Sequence, residues 1–584
     1  MEEGRSRQDV LGRRVEEHLF VEPELVRGQP PTRRGRRRRW GAKKSSTPKR
    51  VLIEEADLVY KASLQKGKIV PDPSMYFVIT FSDTFRSPII RKIVQDLKLD
   101  LVEVTGDNVA KVRIPKIDYE SFLENLERKA DYVDGIREST LREKIEESLL
   151  AVMTAEPDRR VRVNIEISRI GDRALIDNLL DALREYISSG NFGKIERAYL
   201  SDRLLLLTGE LAAKSVREIA EDVDAISRIN LASVIRLHSR SLFLTSMNEG
   251  RVSRVRIRSL LPTPAPPEAE DLRATKLPTV CIIDTGLNQD HDCIKPYVVD
   301  TYDLTVGSQM PCNDSLGHGT MVAGMAIYEG DVPSLQVKSS VIAVKAFDEP
   351  SFQGNIMKYI SETVQRFKDK SRVFNLSFAS DGPDPALSRA LDDLSLRESV
   401  LFVTCTGNID REQIIDELRR GSGYPDYLTN HVVFFPGDCY NVLTVGSFTQ
   451  KDSNFVQQQR PSPFTRTYPF PSKVKPEVLA TGGNMNLERQ NNDITGCNSN
   501  GCGIVSTSNI DSEYREDCGT SFSCPVISSI VAGLAGKFQG RPTCLYKALI
   551  ASSCQQLTDE SKRPFETSVQ GFGIPSRELS LIHI

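Results

Sequence analysis

The second half of the chain alternates short apolar runs with longer stretches of helical periodicity. Residues 340–347 and 372–378 are apolar runs of strand length, and residues 355–367 between them carry apolar side chains at helical spacing. Strands that alternate with helices in this way predict a parallel sheet covered by helices. We therefore expect an α/β fold from residue 277 onward.

A serine stands at the start of another apolar stretch. Residues 519–525 read Gly-Thr-Ser-Phe-Ser-Cys-Pro and lead into small and apolar residues at 526–534. This pattern predicts Ser521 at the N-terminus of a buried helix, where the helix dipole and free N–H groups favour an attacking alkoxide and an oxyanion. Pro525 is expected in the first turn, where its missing N–H needs no partner. An ordinary serine cap would give the same pattern.

Two more polar residues occupy comparable positions. Asp284 closes the apolar run 278–283, which places it at the carboxyl end of a buried strand. Sites in open α/β sheets lie at that end of the strands. His318 stands between two glycines at the start of a small-residue stretch, unlike the other five of the six histidines.

These three segments resemble the signatures of the subtilisin-like (S8) serine peptidases. The matching residues are Asp-Thr-Gly at 284–286, His-Gly-Thr at 318–320 and Gly-Thr-Ser at 519–521, in the family's chain order. The resemblance implies a subtilisin-like, parallel-sheet peptidase domain over residues 277–578.

The resemblance also implies the role of each residue. Asp284 would orient His318, His318 would take the proton from Ser521, and Ser521 would attack the scissile carbonyl of a polypeptide. Asn408, at the end of a further matching strand, would donate to the oxyanion together with the Ser521 N–H. Substrate backbone would be bound by strand addition. The residues implied for that binding are Ser377, Phe378 and Ala379.

The first half of the chain divides by composition. Residues 1–50 are rich in arginine, glycine and proline and are expected to form a disordered basic tail, although such an arm also suits nucleic acid or an anionic surface. Residues 51–145 and 146–246 repeat one order of predicted elements, β-α-β-β-α-β, which is the ferredoxin-like arrangement. Residues 247–276 contain a proline-rich stretch that predicts a stiff linker.

The two predicted α+β modules resemble the propeptides of subtilases. In that family such a module assists folding, inhibits the peptidase and passes its C-terminal segment through the cleft as a substrate would. The resemblance implies the same role for residues 51–246. A pair of general interaction domains would show the same pattern.

The composition argues against several classes of protein. A net charge of −3 and 39% hydrophobic residues give no reason to expect a nucleic-acid partner. No stretch approaches the roughly 20 apolar residues of a membrane span. No apolar signal core follows Met1, so a cytoplasmic protein is expected. No cofactor or metal is indicated; calcium, which many subtilases bind, is left unassigned because no acidic loop has a suitable ligand spacing.

A cytoplasmic subtilase with a long N-terminal region resembles, in architecture, the bacterial defence-associated subtilases that are encoded beside an AAA-type ATPase. The expected function is therefore a serine endopeptidase, a hydrolase, that acts in anti-phage defence with an ATPase partner. A housekeeping protease of protein turnover and a catalytically silent binding scaffold are the alternatives.

The last six residues have no counterpart in the family pattern. Residues 579–584 read Leu-Ser-Leu-Ile-His-Ile, which is one reading frame of the mosaic-end adapter used in transposase-based sequencing libraries. We expect these residues to be an artefact and the natural chain to continue. A natural hydrophobic tail is the alternative.

Overall fold

A computed structural model describes residues 44–82, 87–106, 108–168, 173–237, 277–307, 312–330, 336–469, 473–490, 493–498, 501–510 and 514–582. The chain forms two compact units, of which the first ends at Ala232 and the second begins at Ser233. Most of the predicted basic tail and the whole predicted linker, 247–276, lie outside the described residues.

The first unit contains two four-stranded antiparallel sheets and the helices that cover them. Its strands are β1 (Ser74–Phe81), β2 (Asp100–Gly106), β3 (Val109–Pro115), β4 (Val133–Arg137), β5 (Arg160–Ser168), β6 (Gly193–Leu200), β7 (Leu204–Ala212) and β8 (Ile226–Leu231). Its helices are α1 (Lys49–Gln65), α2 (Ser87–Asp96), α3 (Tyr119–Lys129), α4 (Leu141–Lys144), α5 (Glu147–Ala155), α6 (Arg173–Ser189) and α7 (Ala213–Asp222).

The two sheets have the same topology. Their strand orders are β2-β3-β1-β4 and β6-β7-β5-β8, and each sheet is built from one β-α-β-β-α-β series. The predicted pair of small α+β modules is thereby confirmed. Each module has its own apolar core, with Phe77 and Phe122 in the first and Ile165 and Leu183 in the second.

The disordered tail predicted for residues 1–50 ends earlier than expected. Helix α1 begins at Lys49 and buries one face that includes Leu52 and Val59. Ser45 lies before the helix and donates its N–H to the carbonyl of Asp131 at 2.9 Å. Order therefore begins before residue 50, because the apolar face of α1 belongs to the core of the first module.

Polar contacts join the two modules within the first unit. Asp222, at the end of α7, accepts the backbone N–H groups of residues 67–69 at 2.7–3.1 Å. Lys111 on β3 is 5% exposed and donates to the carbonyl of Ile226 on β8 at 2.7 Å. The first unit thus holds a buried cation between its two sheets.

The second unit is built around a parallel sheet. Its strands are β9 (Ile235–Arg236), β10 (Thr279–Asp284), β11 (Val298–Asp303), β12 (Ser340–Lys345), β13 (Ser351–Phe352), β14 (Val373–Leu376), β15 (Ala379–Ser380), β16 (Leu401–Cys405), β17 (Leu443–Phe448), β18 (Val478–Thr481), β19 (Met485–Gln490), β20 (Asp493–Asn498), β21 (Ile504–Thr507), β22 (Tyr514–Asp517), β23 (Cys554–Gln555) and β24 (Ile574–Pro575). Its helices are α8 (His318–Tyr328), α9 (Ile356–Phe367), α10 (Pro385–Glu398), α11 (Arg411–Arg419), α12 (Thr520–Lys537), α13 (Thr543–Ser552), α14 (Thr567–Gln570) and α15 (Arg577–Ile582).

Seven parallel strands form the central sheet in the order β11-β12-β10-β14-β16-β17-β18, which confirms the predicted α/β fold. The chain builds β11 and β12 on one side of β10 and then crosses to β14 on the other side. Strand β10 therefore marks the point where the order reverses, and sites in such sheets form at the carboxyl ends of the strands there. Asp284 is the last residue of β10.

None of the described helices combines the length and the apolar character that a membrane crossing requires. Residues 579–582, within the segment predicted to be an adapter artefact, continue helix α15. Ser580 on this helix is fully buried and donates its hydroxyl to the carbonyl of Ser576.

Candidate active site

Asp284 and His318 are in direct contact. Asp284 is 1% exposed, and its Oδ1 lies 2.7 Å from Nδ1 of His318, the first residue of α8. The approach depends on glycine, because a Cβ on Gly319 would lie 2.2 Å from the carbonyl oxygen of Gly286. Gly286 itself has a φ of +105°, a conformation that other residues rarely adopt. The glycines beside the acid and the histidine therefore let the two segments meet.

Asp314 organises the start of helix α8, a role that was not predicted from the sequence. Its Oδ1 accepts the N–H groups of Leu316 and Gly317 at 3.1 and 2.8 Å and the Thr285 hydroxyl at 2.8 Å. Its Oδ2 accepts the N–H and the hydroxyl of Thr320 at 2.8 and 2.7 Å. An acid four residues before a predicted helix was the available signal, since short polar side chains often satisfy free N–H groups at helix starts.

The surroundings of His318 favour its protonated form. Burial lowers the pKa of His318, but the charge of Asp284 and its hydrogen bond raise it, with Asp314 and Asp517 adding to the same effect. The net result is a pKa above the ordinary value of 6.5. An imidazole beside a buried carboxylate is oriented and made more basic, which suits a general base.

Ser521 is the second residue of α12 and is 1% exposed. Its hydroxyl lies within hydrogen-bond distance of two carbonyl oxygens, that of Ser377 at 3.1 Å and that of Leu237 at 3.2 Å. A hydroxyl has one proton to donate, so these two contacts are alternatives. The nucleophile predicted from the sequence therefore faces a peptide carbonyl that comes from another segment of the same chain.

Pro525 is the sixth residue of α12, so the prediction that it lies in the first turn was wrong. At this position proline removes the N–H that would bond to the carbonyl of Ser521. The hydroxyl of Ser377 donates to that carbonyl instead, at 2.9 Å. Ser377 thus satisfies the backbone group that the proline leaves without a helical donor.

Asn408 lies in the loop after β16, beside the start of α12. Its Oδ1 accepts the N–H and the hydroxyl of Thr520 at 2.9 and 3.0 Å, so Nδ2 is the donor end of this carboxamide. The backbone carbonyl of Asn408 is held by Nε of Arg466 at 2.9 Å. Both the side chain and the backbone carbonyl of Asn408 are therefore held by hydrogen bonds, and the side chain is bonded to the residue that precedes Ser521.

The three residues implied for substrate binding have different positions. Ala379 begins β15 and pairs with Arg236 of β9. Ser377 contacts Ser521, as described above. Phe378 is fully buried, and its carbonyl accepts the Cys405 thiol at 3.4 Å. Strand pairing therefore involves Ala379, while Ser377 contacts Ser521 and Phe378 contacts Cys405.

Strand β9 lies between β13 and β15 and is antiparallel to both. Beyond the strand, Leu237 donates its N–H to the carbonyl of Pro350 at 3.1 Å. The predicted second module ran to residue 246, whereas residues 233–237 belong to the second unit and residues 238–246 lie outside the described residues. The alternating sequence Val-Ile-Arg-Leu at 234–237 was the available signal for an extended segment.

A family model and several known proteins match the chain. The subtilase family model matches residues 275–573, about half of the chain. A subtilisin of a Bacillus species is 28% identical over 166 residues, which are 26% of this chain and 37% of the relative. Subtilisin-like protease 3 of Plasmodium falciparum is 25% identical over 236 residues, which are 38% of this chain and 25% of the relative. The chain thus spans less than half the length of these relatives.

Among solved structures, the epidermin leader peptide processing serine protease of Staphylococcus aureus is 19% identical, with a TM-score of 0.42. The match covers 72% of this chain and 98% of that chain.

Proposed function

The chain belongs to the subtilase family, and we propose that it is a serine endopeptidase whose cleft is occupied by its own residues 233–237. One observation carries the proposal. The hydroxyl of Ser521 lies 3.2 Å from the carbonyl oxygen of Leu237, and Leu237 continues a strand that the cleft binds on both sides. An extended polypeptide is thus placed against the nucleophile with its backbone held by strand addition.

The proposed reaction gives each of these residues the role that the family resemblance implies. Asp284 holds His318, whose Nε2 takes the proton of Ser521 as Oγ bonds to the carbonyl carbon of the substrate. The oxyanion that forms would accept hydrogen bonds from Nδ2 of Asn408 and the N–H of Ser521. His318 then gives its proton to the leaving amine, and water releases the acyl group by the same steps in reverse order. The chemistry needs no cofactor.

Residues 233–237 keep the site from other substrates in this proposal. The segment fills the space between β13 and β15, so a second polypeptide cannot pair with either strand while it is bound. Ile235 and Leu237 are 2% and 5% exposed, which stabilises the bound segment through burial of apolar surface. Hydrolysis of other polypeptides therefore requires the segment to leave.

Hydrolysis of an unstructured protein by the purified full chain tests the proposal. Ser521→Ala is expected to abolish hydrolysis, whereas Ser361→Ala, at a half-buried position on α9, should leave the rate unchanged. Equal rates for Ser521→Ala and the wild type would exclude Ser521 as the nucleophile.

We further propose that this peptidase acts in the cytoplasm in anti-phage defence, together with an AAA-type ATPase. The support is the resemblance in architecture, since two modules precede a subtilase domain. A phage plaque assay on cells that carry the gene and its neighbours tests this role. Protection that is lost with Ser521→Ala, or with deletion of a neighbouring ATPase gene, supports it. Unchanged plaque counts would favour a housekeeping protease.

A further inference from the structure

Asp381 contacts strand β9 where the chain leaves β15. Its Oδ2 lies 3.3 Å from Nη2 of Arg236, and its Oδ1 accepts the N–H of Val234 at 3.0 Å. Its own N–H donates to the carbonyl of Val234 at 3.0 Å. One aspartate therefore binds both the backbone of the strand and its basic side chain.

Asp384 fixes the register of the same strand. Its Oδ2 accepts the N–H and the hydroxyl of Ser233, both at 3.2 Å, while its Oδ1 caps α10 through the N–H of Leu387. The side chain is fully buried and is held by the helix that it caps. The strand is therefore aligned by a rigid part of the cleft, so that each of its residues meets a defined position.

The positions along β9 differ in the kind of side chain that the cleft accommodates. Ile235 and Leu237 are buried, and Ile235 lies opposite Phe352, whose ring is 5.3 Å from that of Phe347. The side chain of Arg236 is 49% exposed, and the carboxylate of Asp381 is its hydrogen-bond partner. The cleft thus covers two apolar side chains and places one carboxylate beside the residue between them.

Arg466 is a second cation within electrostatic range of Asp381, and its hydrogen bonds go to other acceptors. Burial lowers the pKa of Arg466, and the charges of Asp410 and Asp381 act against that effect. The guanidinium of Arg466 donates to the carbonyls of Asn408 and Val432. The carboxylate of Asp381 makes its hydrogen bonds to β9.

We propose that Asp381 makes this cleft selective for polypeptide segments that carry a basic residue at the position of Arg236, between apolar residues at the positions of Ile235 and Leu237. The inference rests on the proposed endopeptidase function and names its substrate class. The ion pair is half exposed, so its attraction is modest, and repulsion of an acidic residue adds to the discrimination.

Binding of labelled peptides to the full chain with Ser521→Ala and Ile235→Asp tests the inference without hydrolysis, because the second change is expected to release the chain's own strand from the cleft. The peptides have the sequence of residues 233–240, with Arg, Ala or Glu at the position of Arg236. The chain's own strand competes equally with each peptide, so the ratio of affinities does not depend on how often the cleft is open. The Arg peptide should bind about fivefold more tightly than the Glu peptide, with Ala between them.

Asp381→Lys in the same chain should reverse this order. Asp369→Lys is the matched control, because Asp369 follows α9 outside the cleft and the change of charge is the same. Equal affinities for the three peptides, an unchanged order with Asp381→Lys, or no binding of any peptide would overturn the inference. These outcomes are separate from those of the hydrolysis test, because the binding protein lacks the nucleophile.

Discussion

The hydroxyls of Ser377 and Ser521 each lie within hydrogen-bond distance of the other residue's carbonyl. The Ser377 carbonyl, at 3.1 Å, is one of two alternative acceptors of the Ser521 hydroxyl, and the Ser377 hydroxyl donates to the Ser521 carbonyl at 2.9 Å. The second bond occupies the carbonyl that Pro525 cannot serve. The segment between β14 and β15 and the start of helix α12 are therefore fixed to each other.

Ser377→Ala should lower the free energy of unfolding by about 1–3 kcal/mol, because a buried carbonyl loses its donor. Adding Pro525→Ala should recover part of this loss by supplying a helical N–H. Denaturant unfolding of the single and double variants measures the difference, with Ser361→Ala as the control. A double variant that is no more stable than Ser377→Ala would show that the Ser521 carbonyl is not the cause.

Ile235→Asp should open the cleft, because a carboxylate at this buried position loses its hydration without gaining a partner of opposite charge. Ile235 is 2% exposed, whereas Val299 on β11 is 50% exposed and provides the control Val299→Asp. We expect Ile235→Asp to raise hydrolysis of an unstructured protein by at least about tenfold, since burying a charge costs several kcal/mol. An unchanged rate in a folded Ile235→Asp protein would contradict the proposed occupation of the cleft.

The pH dependence of hydrolysis should follow His318. The imidazole must be neutral to act as a base, so the rate rises with pH as His318 loses its proton. Because the pKa of His318 is raised, this rise should be centred above pH 6.5. Asp517→Asn removes one of the charges responsible and should move the rise to lower pH. A kcat/KM profile of the Ile235→Asp protein measures both, and a rise centred below 6.5 would contradict this electrostatic account.

The first unit should become more stable between pH 8 and pH 10.5. Burial lowers the pKa of Lys111 to about 8 from 10.5, and Lys144 adds to this while Asp224, Glu103 and Glu166 oppose it. Below pH 8 the proton is bound in both states, and the cost of the buried charge is fully present. Above it the unfolded chain still binds the proton that the folded unit has lost, so stability rises until about pH 10.5.

Lys111→Met should therefore remove the rise in stability at high pH, because the variant has no proton to lose at this position. Urea unfolding of the full chain at several pH values, followed by circular dichroism, measures the effect. Exposed Lys61 provides the control Lys61→Met. A wild-type stability that falls across this pH interval while Lys111→Met behaves in the same way would contradict the assignment.

The sheet and the family were predictable because their signals are local. Strands buried on both faces read as apolar runs, as β10 and β16 do, and the glycines near Asp284 and His318 are required where those two segments meet. The family and fold predictions are confirmed. The catalytic and substrate-binding assignments stay predictions until the variants above are measured.

The features that were not predicted from the sequence depend on contacts between distant parts of the chain. Residues 235–236 form a strand because they pair with β13 and β15 on either side. These partners are distant in sequence, so the end of the second module was predicted at residue 246. The role of Asp314 requires Thr285 and Thr320 to be brought together by folding. The place of Pro525 depended on where α12 begins, and helix starts are not fixed by sequence to within a few residues.

Labelling with a fluorophosphonate tests the central claim most directly, because the reagent bonds covalently only to a serine whose hydroxyl is activated. The full chain with Ile235→Asp should carry one label, which peptide mass spectrometry should locate on Ser521, and the added change Ser521→Ala should abolish it. The wild type should label more slowly, since Leu237 lies against the Ser521 hydroxyl and blocks access of the reagent. A folded Ile235→Asp protein that never labels at Ser521 would contradict the account.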